Sequence, residues 1–267
     1  MYTSEEREIT KNKINEAIKA SFSGWDFSYT SKFGGKPEFP VPWNYRRSIL
    51  ELIETSKSML DMGTGGGEFL SSLSPLPQKI YATESYKPNI QIAKNRLSPL
   101  GIEVVEMEEG TQENHQLPFD NVFFDFIINR HEDYDSKELY RILKPSGYFI
   151  TQQVGCRDLE RLRTIFGSLI EDDEIFEWNF KNAGTFLRKA GFEIIEEKES
   201  IAYSRFYDIR TVVYFLKIIE WSFPDFSVKK DFSRLENVDI LIRKDGYFED
   251  ICHRFFIIAK KPDDRAL

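Results

Sequence analysis

The sequence predicts an α/β fold with a doubly wound, mainly parallel sheet of seven strands, an N-terminal helical extension and a small cap inserted before the last strand. The first observation is that strand patterns and helix patterns alternate along most of the chain. Strands separated by single helices need crossover connections, which produce parallel sheets covered on both faces. The second observation is a glycine-rich turn after the first strand, where open sheets of this kind bind nucleotides.

An extension is predicted at residues 1–42. Within it, residues 5–20 place Ile9, Ile14 and Ile18 on roughly one side, which indicates a short amphipathic helix. Residues 23–42 are rich in glycine, proline and aromatic side chains, which indicates an ordered loop with little regular structure. We expect this loop to cover a ligand.

The α/β core is predicted at residues 43–199, where each helix has an apolar face and each strand is a short apolar run between turns. Pro145 and Gly191 follow helical patterns and are typical of helix ends. The predicted elements are, in order, a helix at 45–56, a strand at 57–62, a helix at 68–73, a strand at 79–83, a helix within 88–99, a strand at 102–107, a buried strand from 122, a helix at 137–143, a strand at 148–154, a helix at 178–190 and a strand at 192–197.

About fifty residues, 200–250, interrupt this alternation and are predicted to form the cap, with a helix at 209–221. Residues 251–267 then supply the final core strand, at 255–259, and a tail. We expect the aromatic side chains of the cap and of the N-terminal loop mainly to pack in the core or in a lid. An acceptor site under these two segments would be enclosed and would suit a small molecule.

The charge balance disfavours nucleic acid as a partner, because 36 Lys and Arg against 44 Asp and Glu leave a net charge of -8. The chain has only two cysteines, Cys156 and Cys252, which is compatible with a reducing compartment. A polar start and the lack of any long apolar run predict no membrane segment. We therefore expect a cytoplasmic protein, present as a monomer or homodimer. No metal is expected, since no cluster of His, Cys or acidic residues has the spacing of metal ligands.

The glycine-rich turn is Asp61, Met62, Gly63, Thr64, Gly65, Gly66 and Gly67. A dinucleotide fingerprint would need glycine in place of Glu68, and a phosphate-binding loop would need a Gly-Lys-Ser/Thr ending. Acids at Asp61 and Glu68 also repel a pyrophosphate, whereas they suit a ligand that carries a positive charge. A nucleotide-dependent oxidoreductase is therefore disfavoured.

The same residues resemble motif I of the class I S-adenosylmethionine (SAM)-dependent methyltransferases, an acid followed after one residue by Gly-x-Gly-x-Gly. The resemblance, closest to type 11-like methyltransferase domains, runs from Met59 to Gly155 and includes LYRILKPSGYF from Leu139. It implies SAM as cofactor, with the glycine turn under its amino acid part. Glu84 ends the second strand, where a carboxylate can accept both hydrogen bonds of a ribose diol. The cofactor-binding residues implied in this way are Asp61, Gly63, Thr64, Gly65, Gly67, Glu84, Ser85, Glu113, Asn114, Asn129 and Arg130.

The segment after the fourth strand lies, by the same resemblance, beside the methyl group that is transferred. His131 is the first candidate for a general base and Glu132 the second, because imidazole and carboxylate can accept a proton from a hydroxyl or amine acceptor. Gln152 and Gln153 end the fifth strand on opposite faces, and one of them is expected to reach the acceptor. The predicted function is methyl transfer to an O or N atom of a small molecule. The alternatives are a SAM-binding regulator without catalysis and an RNA or protein methyltransferase.

Overall fold

The computed structural model of the chain describes residues 3–22, 27–108, 116–168 and 179–263. The chain divides into two compact units. Unit 1 comprises Met1–Val41, Cys156–Phe176 and Ile201–His253, and unit 2 comprises Pro42–Gly155, Glu177–Ser200 and Arg254–Leu267.

Within the described ranges, the strands are β1 Ser58–Met62, β2 Lys79–Glu84, β3 Glu103–Glu106, β4 Phe124–Arg130, β5 Leu143–Val154, β6 Glu193–Phe206 and β7 Phe248–Lys260. The helices are α1 Ser4–Lys19, α2 Ser28–Ser31, α3 Tyr45–Ile53, α4 Glu68–Ser71, α5 Lys87–Leu97, α6 Ser136–Ile142, α7 Glu160–Phe166, α8 Phe180–Ala190, α9 Ile209–Ile218 and α10 Val228–Asp245, and one 3-10 turn lies at Ser98–Leu100. The first residue predicted for the helix at 178–190 and residues 23–26 of the predicted N-terminal loop lie outside the described residues.

The seven described strands form one sheet in the order β3-β2-β1-β4-β5-β7-β6. Strand β1 is parallel to β2 and to β4, β2 is parallel to β3, and β4 is parallel to β5. Strand β7 pairs with β5 in the antiparallel direction. The predicted fold class, a mainly parallel seven-stranded α/β sheet, is confirmed.

Apolar side chains cover both faces of the central strands. Met59 belongs to one apolar cluster and its neighbour Leu60 to another. Phe126 and Ile127 divide between the same two clusters. Since successive side chains of a strand point to opposite faces, these continuous apolar runs are explained by a sheet buried on both sides.

Polar side chains cap helices α3 and α6 of unit 2. Asn44 accepts a hydrogen bond from the backbone amide of Arg47 at 3.0 Å at the start of α3. Asp135 caps α6 in the same way. At the end of α8, Gly191 has a φ of 104°, which a residue with a side chain rarely adopts.

Strands β6 and β7 are both longer than predicted from the sequence. Strand β6 continues to Phe206 and β7 begins at Phe248, so both run into residues 200–250. The charged run of β6 between residues 196 and 199 has low strand propensity, which hides the strand in the sequence. Helices α7 and α10 were not predicted either.

Unit 1 has an apolar core of its own, to which α1, α9 and α10 contribute. Thr3 and Glu6 form a capping box at the start of α1. The buried carboxylate of Asp239 accepts hydrogen bonds from the hydroxyl of Thr10 at 2.5 Å and from Nε of Arg243 at 2.8 Å. In the described part of the chain, no helix is both long and apolar enough to cross a bilayer.

Candidate functional site

The candidate site lies in unit 2, where β1, β2 and β4 reach their carboxyl ends. Asp61 is the last residue but one of β1, and Glu84 is the last residue of β2. Glu132 follows β4 by two residues. Because β1 is paired in parallel with both β2 and β4, the three carboxyl groups approach the same edge of the sheet.

The glycine turn between β1 and α4 requires its glycines. Gly63, Gly65 and Gly67 have φ angles of 64°, 63° and 80°, in the left-handed region that favours glycine. The backbone amide of Thr64 donates to the carbonyl of Thr83 at 2.9 Å, which ties the turn to β2. With Gly66, the turn thus has no side chain at four of its positions.

Asp61 is a buried acid at the base of this turn, with only 5% of its surface exposed. Its Oδ2 accepts a hydrogen bond from the hydroxyl of Thr64 at 2.8 Å. Burial raises the pKa of Asp61 to about 7, although the Thr64 hydrogen bond and the charge of Arg130 lower it, and Glu84 raises it further. Such a carboxyl group is poised to ionise when a positive charge approaches.

Glu84 is equally buried at the end of β2. Its Oε1 accepts from the backbone amide of Tyr86 at 2.8 Å, and its Oε2 accepts from Nδ2 of Asn89 at 3.3 Å. Burial raises the pKa of Glu84, and these hydrogen bonds oppose that effect together with the backbone of Gly65 and Ser85. Tyr86 and Asn89 thus contact different oxygens of the carboxyl group, and each oxygen can accept more than one hydrogen bond.

The side chain of Glu132 lies directly against the glycine turn. A Cβ atom added to Gly63 would be 2.6 Å from Cβ and 2.6 Å from Oε2 of Glu132. Burial raises the pKa of Glu132 to about 7, and the nearby charges of Glu84 and Asp133 raise it further. Glu132 therefore faces the turn, and Gly63 is needed at this position for packing as well as for its φ.

A buried amide network supports the end of β4. Oδ1 of Asn129 accepts from the hydroxyl of Thr151 at 3.0 Å and from Nε2 of Gln153 at 2.6 Å. The same Gln153 nitrogen donates to the carbonyl of Glu132 at 2.9 Å. Among the described residues, Nδ2 of Asn129 is fully buried without a hydrogen-bond partner. Gln153 thereby links the strand to the backbone that carries Glu132.

Arg130 and His131 lie at the exposed end of β4. The guanidinium of Arg130 lies 4.7 Å from the centre of the Phe69 ring. His131 has a φ of 64°, an uncommon conformation for a residue with a side chain, and its backbone amide donates to the carbonyl of Gln152 at 3.0 Å. The side chain of Gln152 accepts a hydrogen bond from Nε1 of Trp43 at 2.8 Å.

Glu68 does not join the acid group, which modifies the argument made from the sequence. Its carboxylate is exposed and forms an ion pair with Arg96 of α5, whose guanidinium also donates to the carbonyl of Gly66. The charge of Glu68 is therefore largely compensated. Of the two acids counted at the turn, only Asp61 lies among the buried groups.

The structure brings several of the predicted site residues together. Those in mutual contact or electrostatic reach are Asp61, Gly63, Thr64, Gly65, Glu84, Ser85, Arg130 and Glu132. Gly67 lies at the far end of the turn, where an added Cβ would meet the Leu97 side chain at 2.7 Å. Glu113 and Asn114 lie outside the described residues.

Three residues of the site were missed from the sequence. The hydroxyl of Tyr45 donates to the carbonyl of Asn129 at 2.9 Å, Thr83 anchors the turn, and Asn89 contacts Glu84. Asn89 is a polar residue with no exposed surface at the start of a helix. A buried position of this kind needs a partner, but its burial becomes visible only in the fold.

A family model described as a methyltransferase domain matches residues 44–197, which is more than half of the chain. Among curated relatives, a protein-L-isoaspartate O-methyltransferase of Caulobacter vibrioides is 29% identical over 120 residues, which are 43% of this chain and 51% of that protein. The chain therefore spans about half the length of the curated relatives it matches.

Two solved structures share the fold. The superposition with a candidate methyltransferase from Bacillus halodurans covers 81% of this chain and 98% of that protein, with 16% sequence identity and a TM-score of 0.54. The superposition with a functionally unknown protein from Deinococcus radiodurans covers 85% of this chain and 91% of that protein, with 12% sequence identity and a TM-score of 0.57. At these identities the likeness concerns the fold alone.

Proposed function

Because the chain belongs to the methyltransferase domain family, we propose that it transfers the methyl group of SAM to an oxygen or nitrogen atom of a small-molecule acceptor. The observation that carries the proposal is the glycine turn with buried Asp61 and Glu84 at the ends of adjacent parallel strands. SAM supplies a methyl group already activated on a positively charged sulfur.

The residues of the site fit this cofactor. Three acids, Asp61, Glu84 and Glu132, meet at the site, where the guanidinium of Arg130 acts on Asp61, so the site favours a ligand with positive charge. The hydrogen bonds from Tyr86 and Asn89 hold the Glu84 carboxylate for a ribose diol. The buried Nδ2 of Asn129 is a donor that a polar ligand could satisfy.

The catalytic contribution of the chain in this proposal is mainly to hold the reacting atoms in line and to remove a proton from the acceptor. His131 is the proposed base. Its left-handed backbone conformation costs about 1–2 kcal/mol, and backbone strain of this kind concentrates at functional sites. The His131→Ala variant should lower kcat and remove a pH-dependent limb of the rate profile.

The acceptor class is the finer part of the proposal. A net charge of -8 disfavours nucleic acid. The Caulobacter relative acts, by its description, on a protein, so a protein carboxylate is the second candidate acceptor. The region shared with that relative covers 43% of this chain. We favour the small molecule because aromatic residues make up 15% of the sequence, and sites for small molecules are lined mainly by apolar and aromatic side chains.

Calorimetric titration with SAM, followed by a methyl-transfer screen on small molecules, peptides and RNA, tests the proposal. We expect saturable SAM binding that is lost in Asp61→Asn and Glu84→Gln, no response to NAD, and turnover on small molecules. Absence of SAM binding would overturn the proposal. Binding without turnover on the whole panel would instead favour a SAM-dependent regulator, and turnover on peptides would favour the protein acceptor.

A further inference from the structure

The side chain of Glu132 is directed toward the backbone of the glycine turn. Its Cβ and Oε2 atoms both fall 2.6 Å from where a Gly63 side chain would begin, so its side chain lies against the Gly63 backbone. Its backbone carbonyl is held by Nε2 of Gln153 at 2.9 Å. The side chain thus extends from a fixed backbone position toward the turn that forms the proposed cofactor site.

The charged groups around Glu132 disfavour the ionised form of its carboxyl group. Glu84 and Asp133 are the charged groups that act on it most strongly, and both are acids. Arg130 acts on the neighbouring Asp61. A partly buried carboxylate surrounded by acids is unfavourable unless a positive charge arrives from outside the protein.

We infer that Glu132 is a donor-binding residue, whose carboxylate pairs with a positively charged group of SAM across the Gly63 backbone. The inference rests on the proposed function and deepens it, because it changes the role of Glu132 from proton acceptor to cation recognition. SAM carries two positive charges, an ammonium and a sulfonium, and either would meet the same chemistry. A charge-assisted contact of this kind strengthens binding by about tenfold or more.

The same pairing couples SAM binding to proton release. Glu132 has a pKa of about 7 without a ligand, so part of the population holds a proton at neutral pH. A bound cation favours the carboxylate, and the proton leaves. Asp61, which has a similarly raised pKa, adds to the release, so the Glu132→Gln variant should retain a smaller part of it.

The test compares the wild-type protein with Glu132→Gln by calorimetry, with three probes. SAM carries both positive charges, S-adenosylhomocysteine keeps only the ammonium, and 5′-methylthioadenosine carries neither. We expect Glu132→Gln to bind SAM about tenfold or more weakly and 5′-methylthioadenosine unchanged. An equal loss for S-adenosylhomocysteine identifies the ammonium as the partner, and an unchanged affinity for it identifies the sulfonium.

Asp133→Asn is the matched control, because it removes the same charge one residue away at an exposed position. It should weaken SAM binding much less than Glu132→Gln does, although it removes one of the charges that raise the pKa of Glu132. Titration near pH 7 in buffers of different ionisation enthalpy should show fewer protons released by Glu132→Gln than by wild type. Thermal melting should show that the variant remains folded.

Each contrary outcome overturns a distinct claim. Unchanged SAM affinity in Glu132→Gln, or an equal loss in Asp133→Asn, contradicts direct pairing. Equal losses for all three probes indicate a packing defect and also contradict it. If wild type itself fails to bind SAM, the proposed function fails first, so the two failures are distinguishable.

Discussion

At the scale of single residues, Gly63 has two independent reasons to be glycine. Its φ of 64° strains any other residue, and its missing side chain leaves space that Glu132 fills. Gly65 has nearly the same φ, 63°, but an added Cβ there would meet nothing within 4 Å. Substitution of Gly65 therefore tests backbone strain alone, whereas substitution of Gly63 tests backbone strain together with the steric clash with Glu132.

We expect Gly65→Ala to lower the free energy of unfolding by about 1–2 kcal/mol, the cost of the left-handed conformation. Gly63→Ala should lower it by clearly more, because its Cβ would be 2.6 Å from Cβ of Glu132. Urea unfolding of the apo protein measures both. Combining Gly63→Ala with Glu132→Gly should recover about 1 kcal/mol or more of coupling energy. Equal losses for the two alanine variants would contradict the packing of Glu132 on Gly63.

At the scale of the strands, β1 and β4 carry acids at opposite ends of the sheet, in opposite electrostatic environments. Burial raises the pKa of Asp61, at the carboxyl end of β1, to about 7. Burial alone would also raise the pKa of Asp125, near the amino end of β4, but hydrogen bonds from Lys144, Ser58 and two backbone amides outweigh it and leave the pKa lowered. The amino end therefore stabilises the ionised form of Asp125, whereas burial at the carboxyl end favours the protonated form of Asp61 despite the nearby charge of Arg130.

This difference predicts opposite effects of two conservative substitutions. The folded state keeps a proton on Asp61 that the unfolded state loses above about pH 4, so stability falls as pH rises from there through about 7. Asp61→Asn should therefore raise the free energy of unfolding at pH 8 by about 1 kcal/mol or more, and the gain should vanish near pH 4.

Asp125→Asn is the control with the opposite sign. Its lowered pKa means that the carboxylate contributes stability above its unfolded pKa, and this contribution is lost as pH falls through the folded value. The variant should be less stable than wild type at pH 8, with the difference shrinking in acid. Urea unfolding at several pH values checks both variants, and a loss of stability in Asp61→Asn at pH 8 would show that its carboxylate is already compensated.

At the scale of the whole molecule, acids outnumber Lys and Arg by 44 to 36. Several of the described ion pairs lie at the surface, as between Arg47 and Glu51, and contribute little stability individually. The family predicted from the sequence is confirmed by the domain match, and the predicted fold class is confirmed by the order of the strands. The excess of acidic residues is instead relevant to the class of methyl acceptor.

We expect no saturable binding of single-stranded RNA in the micromolar range at about 150 mM salt, because binding without sequence preference depends on basic surface. Fluorescence anisotropy with labelled oligonucleotides measures it. Micromolar binding whose affinity falls steeply with added salt would reveal a local basic groove and would favour an RNA acceptor over a small molecule.

The sequence by itself determined the alternation of strands and helices, the glycine turn and the acids at the ends of β1 and β2, because these depend on local periodicity and on residue types beside a turn. Only the tertiary structure decided that Glu132 covers Gly63, that Asn89 supports Glu84 and that Gln153 joins Asn129 to the backbone of Glu132. The physical reason is strand register: pairing of Met62 with Asn129 brings together residues far apart in the chain, and no local pattern encodes that contact.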